Sequence, residues 1–196
     1  MARIEPLPLS ELEQHDERFE LTRSLMGFLP NSMPTMARVP GLVEAFSDLG
    51  AAVIANQNLS PELVEMVAQI TSSAAGCRYC QAHTGHVLER LGTPGEKIAD
   101  LWLFETSEHF SDAERAALRL AFNAGLTPNA ATDDDFAELA HHYDENQIAG
   151  IVAAIAMFGF LNRWNDTVAT DLEEAPAAFG SHTLAANGWT PGKHQS

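Results

Sequence analysis

Apolar positions recur at intervals of three and four along most of the chain, the spacing that lines one face of an α-helix. From Pro40 to Ala55 the stripe is Leu42, Val43, Phe46, Leu49, Val53 and Ile54. Leu63, Met66, Val67 and Ile70 mark the next helix, which Gly76 closes. Another runs from about Cys77 to Leu91 and stops at Gly92. Leu118, Leu120 and Phe122 anchor a helix after Ser111, and Thr132 opens a short one through Leu139. Ile148, Ile151, Val152 and Ile155 belong to the last long one.

Local start signals support the same division. Ser10 with Glu13, Ser111 with Glu114, and Asp144 with Gln147 each fit a side-chain cap answered three residues later. Thr93-Pro94-Gly95-Glu96 fits it too, with Pro at the first helical position, and Ser60-Pro61 repeats the start without the Glu. Pro30, Pro34 and Pro40 break residues 26–40 into loop or short turns. Pro176, Gly180, Gly188, Pro191 and Gly192 make the tail after Ala175 read as irregular. No Val/Ile/Thr run of strand length competes, and Ala, the best helix former, supplies 30 of the 196 residues. The expectation is an all-α compact helical bundle, one domain over 1–196 with the tail at 176–196.

Composition narrows the function. Hydrophobic residues make up 45%, enough for a sizeable core. The formal net charge is -16, from 11 Lys and Arg against 27 Asp and Glu, so the surface repels phosphate backbones and anionic headgroups. No nucleic acid and no membrane are expected as partners. The longest apolar run, Ile148 to Leu161, is 14 residues, short of the ~20 a membrane span needs, and reads as a buried core helix. The opening MARIEPLPLSELEQHDERFE has no apolar signal-peptide core, which points to the cytoplasm. There a cysteine pair suggests metal or redox work more than a structural staple.

The only cysteines form Cys77-Arg78-Tyr79-Cys80, directly after Gly76. Two thiols three positions apart at a helix start can close a disulfide within one turn, and the free amides there favour the thiolate. His83 lies three residues past Cys80 on the same side, within reach of a proton. Glu65, twelve residues before Cys77 among Val64, Met66 and Val67, sits on the preceding helix, which can fold its carboxylate back towards the thiols. Together they read as a carboxylate, imidazole and thiol relay that needs no cofactor.

Glu65, then eleven residues, then CxxC and a nearby His resembles the carboxymuconolactone decarboxylase superfamily, in its alkylhydroperoxidase D-like, peroxidase-related branch. LSPELVEMVAQITSSAAGCRYCQAHTGHVLERLG is similar to that branch throughout, and the likeness covers roughly 25–170. It implies a thiol-dependent peroxidase: Cys80 attacks a small hydroperoxide, Cys77 resolves it as an internal disulfide, and Glu65 and His83 pass the proton. An external dithiol or protein reductant then restores the pair, and the chain is expected to form a homo-oligomer. Tyr79 stands where the alkylhydroperoxidase D proteins carry a His between the cysteines, and Thr84 where they carry a distal His.

Other readings stay open. Zinc held by Cys77, Cys80, His83 and His86 is opposed by geometry, since Cys77 and His86 are about 13 Å apart along one helix. No metal is therefore expected. His83 and Glu65 also fit plain solvated helix residues. Lactone decarboxylases or isomerases of the superfamily generally lack the cysteine pair. A non-catalytic thiol sensor would oxidise once and stop.

Overall fold

The computed structural model describes residues 2–54 and 58–195. Within them the chain is all-helical. Its α-helices are α1 (Asp16–Met26), α2 (Ser32–Met36), α3 (Leu42–Ile54), α4 (Pro61–Ala74) and α5 (Arg78–Arg90). They continue with α6 (Gly95–Ala99), α7 (Asp112–Gly125), α8 (Asp133–Leu139), α9 (Glu145–Val168) and α10 (Glu174–Phe179). Short 3₁₀ and π turns link the rest.

The caps explain several of these boundaries. Ser60 Oγ accepts the Leu63 N–H at 3.1 Å with Pro61 next to it. Full capping boxes start α7 at Ser111 and Glu114, α8 at Thr132 and Asp135, and α9 at Asp144 and Gln147. Each such cap contributes about 1 kcal/mol. Gly76, at φ +74°, turns the chain between α4 and α5, where a side chain would be strained.

Helix α4 is the axis of the bundle. Leu63 through Ser72 are all buried, because α5, α7 and α9 enclose the helix. A fully buried Leu, Ile or Met there contributes about 1.5–3 kcal/mol. Gly125 lets the end of α7 close on α4, since a Cβ would sit 2.9 Å from that of Ala74. Helix α9 is long and apolar enough to cross a membrane, yet Gly150, Ile151, Ala154, Ile155, Met157 and Phe158 bury one side of it against α3, α4, α5 and α7. A second cluster of Leu12, Phe19, Met33, Met36 and Val43 lies under the N-terminal segment. Cys77, Tyr79 and Cys80 form a third with Leu161 and Leu172.

Four expectations change. Ser10 does not cap a helix: the chain there makes two 3₁₀ turns, and α1 starts only at Asp16. Thr93 makes no cap bond to α6, which begins after Pro94. Leu49 and Ile54 on α3 face outward, and Ala55 lies outside the described residues. The tail is not merely irregular. Helix α10 packs on α5, and Phe179, Leu184 and Trp189 join the main core. Trp189 Nε1 donates to the Arg78 carbonyl at 3.1 Å, which fastens the tail to the start of α5.

Candidate functional site

Both thiols are buried, Cys77 at 0% and Cys80 at 2% exposure, and both are free. Cys77 occupies the cap position of α5, and its sulfur accepts the Cys80 N–H at 3.5 Å. Burial, followed by the neighbouring Cys77 sulfur, pushes the Cys80 thiol well above its ordinary range, and only the Asn165 amide pulls the other way. Asn165 Nδ2 stands 3.6 Å from Cys80 Sγ. Thr170 Oγ1 donates to Asn165 Oδ1 at 2.9 Å and so fixes which end of the amide faces the sulfur.

A second set of contacts is centred on His83, one turn further along α5. His83 stacks on Tyr79, with centroids 3.9 Å apart, and meets Phe28 edge-on at 5.2 Å. Its Nδ1 lies 2.8 Å from the Tyr79 carbonyl. Its Nε2 lies 2.7 Å from Glu173 Oε2, in a direction off that of a hydrogen bond. The other Glu173 oxygen accepts Tyr79 Oη–H at 2.9 Å and the Asn31 N–H. Burial alone would raise the Glu173 carboxyl, but His83 and the amide donors hold it below its usual value.

The four residues singled out in the sequence are thus distributed unevenly. Cys77, Cys80 and His83 share the first turns of α5, but both His83 nitrogens are engaged by Tyr79 and Glu173. The carboxylate that meets His83 is Glu173, not Glu65. Glu65 is 7% exposed on α4 and makes no hydrogen bond or ion pair among the described residues, and burial pushes it up to about 8. It therefore keeps its proton at neutral pH. Asn165, Glu173 and His194 emerge only from the structure. They lie 85 to 117 positions from the thiols or from each other's neighbours in α5, beyond any periodicity signal; NRWND held Asn165 in plain view without marking its role.

His194 closes the arrangement. Nδ1 lies 2.8 Å from the Thr170 carbonyl, and Nε2 lies 3.6 Å from Asp166 Oδ1. A cavity of about 290 Å³ opens beside the site, between the N-terminal segment and the turn after α9. Asn31, Thr35, Thr170 and Leu172 line it, so Thr170 connects its wall to Cys80 through Asn165. That volume is near the lower end of small-molecule sites, roughly 300–1,000 Å³.

Residues 40–123 match the carboxymuconolactone decarboxylase family. Among solved structures the chain is similar to a cysteine-to-alanine variant of the debrominase Bmp8 in complex with 2,3,4-tribromopyrrole. That likeness has 37% identity and a TM-score of 0.88, over 92% of this chain and 96% of that one. An alkylhydroperoxidase AhpD core, an uncharacterized peroxidase-related protein from Ralstonia eutropha JMP134, shares the fold at 23% identity and a TM-score of 0.79, covering 89% of this chain and 94% of that one. YdfG of Bacillus subtilis (strain 168), an uncharacterized protein, is 28% identical over 103 residues, 52% of this chain and 67% of its own length.

Proposed function

The chain belongs to the carboxymuconolactone decarboxylase family, and we propose that it is a thiol-dependent reductase with the alkylhydroperoxidase D-like fold whose substrate is a small halogenated heteroaromatic compound. The observation that carries this reading is the placement of two buried free thiols beside an aromatic wall backed by an imidazole–carboxylate pair. The likeness to a debrominase over nearly the whole chain supports the substrate class.

The chemistry balances with this chain's own residues. The Cys80 sulfur attacks the halogen, taking it as S–Br, and the ring carbon receives a proton from the His83–Glu173 pair. Cys77 then attacks the Cys80 sulfur, bromide leaves, and a disulfide forms. The sum is one carbon–bromine bond and two thiols converted to carbon–hydrogen, disulfide and hydrogen bromide. An external dithiol restores Cys77 and Cys80. Asn165 steadies the developing charge on Cys80, which burial otherwise disfavours. Glu65 is a buried acid that holds its proton at neutral pH and would become a buried carboxylate on giving it up.

A hydroperoxide is the second reading, favoured by the Glu65, Cys77 and Cys80 spacing. The same thiols would then yield an alcohol, water and the disulfide. The exposed apolar residues Val152 and Phe160 on α9 and Leu49 on α3 support a homo-oligomer. The cytoplasm, where thiols stay reduced, suits either substrate.

The test is steady-state turnover with dithiothreitol, reading bromide release from 2,3,4-tribromopyrrole beside loss of cumene hydroperoxide. Thiol-dependent bromide in many-fold excess over enzyme is expected, with Cys80→Ser losing at least about 10³-fold, as a removed nucleophile does. Turnover of peroxide alone would select the second reading. A single oxidation without turnover would leave a thiol sensor, and undiminished activity in Cys80→Ser would refute the dithiol role.

A further inference from the structure

The C-terminal tail brings His194 over the cap of α5, next to Cys77 and the last turn of α9. Cys77 Sγ, an Asp166 carboxylate oxygen and a His194 ring nitrogen all lie within 4.8 Å of one another. His194 is 1% exposed, and its Nε2 is buried without a hydrogen bond among the described residues. Its Nδ1 meets the Thr170 carbonyl at 2.8 Å, so that nitrogen carries the hydrogen and Nε2 presents a lone pair. An outer contact of this kind fixes the tautomer and ring direction of metal-binding histidines. Asp166 is divided in the same way: Oδ2 takes Lys193 Nζ at 2.7 Å, while Oδ1 faces His194 Nε2 at 3.6 Å.

We propose that Cys77, Asp166 and His194 form a zinc site, and that the bound ion withholds Cys77 from disulfide formation. A thiolate, an imidazole and a carboxylate are a donor set of mixed softness that suits zinc, as three protein ligands with a fourth position open to water. With zinc–ligand bonds of about 2.0–2.3 Å, tetrahedral edges run about 3.3–3.6 Å, so the side chains need close in by only about 1 Å. Binding displaces the Cys77 proton and involves no change of oxidation state. The set differs from a helix-only zinc site, because two of its ligands come from α9 and the tail and converge from different directions.

The binding half of this inference stands apart from the dithiol reading, whereas the inhibitory half rests on it. The test uses the full-length reduced protein dialysed against zinc, with metal content by mass spectrometry and competition against a chromophoric chelator. Cobalt substitution adds a near-ultraviolet sulfur-to-metal charge-transfer band. One tightly held zinc per chain is expected, weakened at least about tenfold by His194→Ala and by Asp166→Asn, since even outer-contact losses cost 10–100-fold. The second substitution keeps shape and decides the matter if the first disturbs the tail. Zinc should also slow diamide-driven disulfide formation in the wild type and much less in Asp166→Asn. No zinc retained by the wild type would overturn the site, as would affinity unchanged in Asp166→Asn, which would leave the ion on the two thiols alone. Zinc bound as expected with disulfide formation unslowed would overturn the inhibitory half.

Discussion

Glu65, buried on α4, and Glu173, mostly buried beside α5, are in opposite states. Glu173 is met by Tyr79 Oη–H, the Asn31 N–H and His83, and these hold its proton off despite burial. Glu65 has no such partners among the described residues, and burial pushes it up to about 8. Partners, not depth, decide which carboxyl is charged. The charged one backs the imidazole, and the neutral one stores a proton in the core.

Removing the partnered carboxylate should have the largest effect. Glu173→Gln removes the carboxylate that faces His83 Nε2, and kcat/KM should fall by roughly 10²–10⁴-fold, the usual worth of a positioned proton relay. Its sign in stability is also fixed. A carboxyl held below its unfolded value stabilises the fold above about pH 4.5, and that contribution is lost as pH falls through the lower folded value. Urea titrations at pH 3 and 6 should show this loss in the wild type and not in the variant.

Glu65→Gln should act in the opposite sense. A carboxyl whose proton is held up to about 8 in the fold costs stability as pH rises from 4.5 to that value. Gln is neutral and similar in shape, so it avoids that cost. It should stabilise by about 3 kcal/mol at pH 7 and nearly nothing at pH 4, from 1.36 kcal/mol per unit. Equal urea midpoints for wild type and variant across that range would show that Glu65 is not held protonated.

The smallest effect should come from the packing that carries Glu173. At Gly85 an added Cβ would sit 2.4 Å from Phe179 Cε1, in the face between α5 and α10. Gly85→Ala should cost about 1–3 kcal/mol by overpacking. Because Glu173 stands at the first position before α10, the substitution should also lower turnover while leaving Glu65 untouched.

The contrast shows what was legible in the sequence. Cys77, Cys80 and His83 share one helix, so spacing alone places them together. Glu65 could be suspected from Val64, Met66 and Val67 around it. Glu173 could not, because its partners Asn31 and Tyr79 are 142 and 94 positions away. Caps at Ser60, Ser111 and Asp144 were readable because they are local, four-residue devices. Ser10 shows the same letters without the helix, since neighbouring 3₁₀ turns take up that segment. Gly and Pro disguised the tail, whose order comes from docking Trp189 and His194 onto α5 and α9.

The central claim, that Cys77 and Cys80 carry the two electrons, is tested most directly by single-turnover stoichiometry. Fully reduced protein is mixed with excess 2,3,4-tribromopyrrole without external thiol, quenched with an alkylating agent, and analysed for bromide and for the mass of the peptide holding both cysteines. The expected result is one bromide and one Cys77–Cys80 disulfide per chain, with cumene hydroperoxide giving the same disulfide if it is the substrate instead. Product formed while both thiols remain alkylatable, or neither compound oxidising the pair, would contradict it.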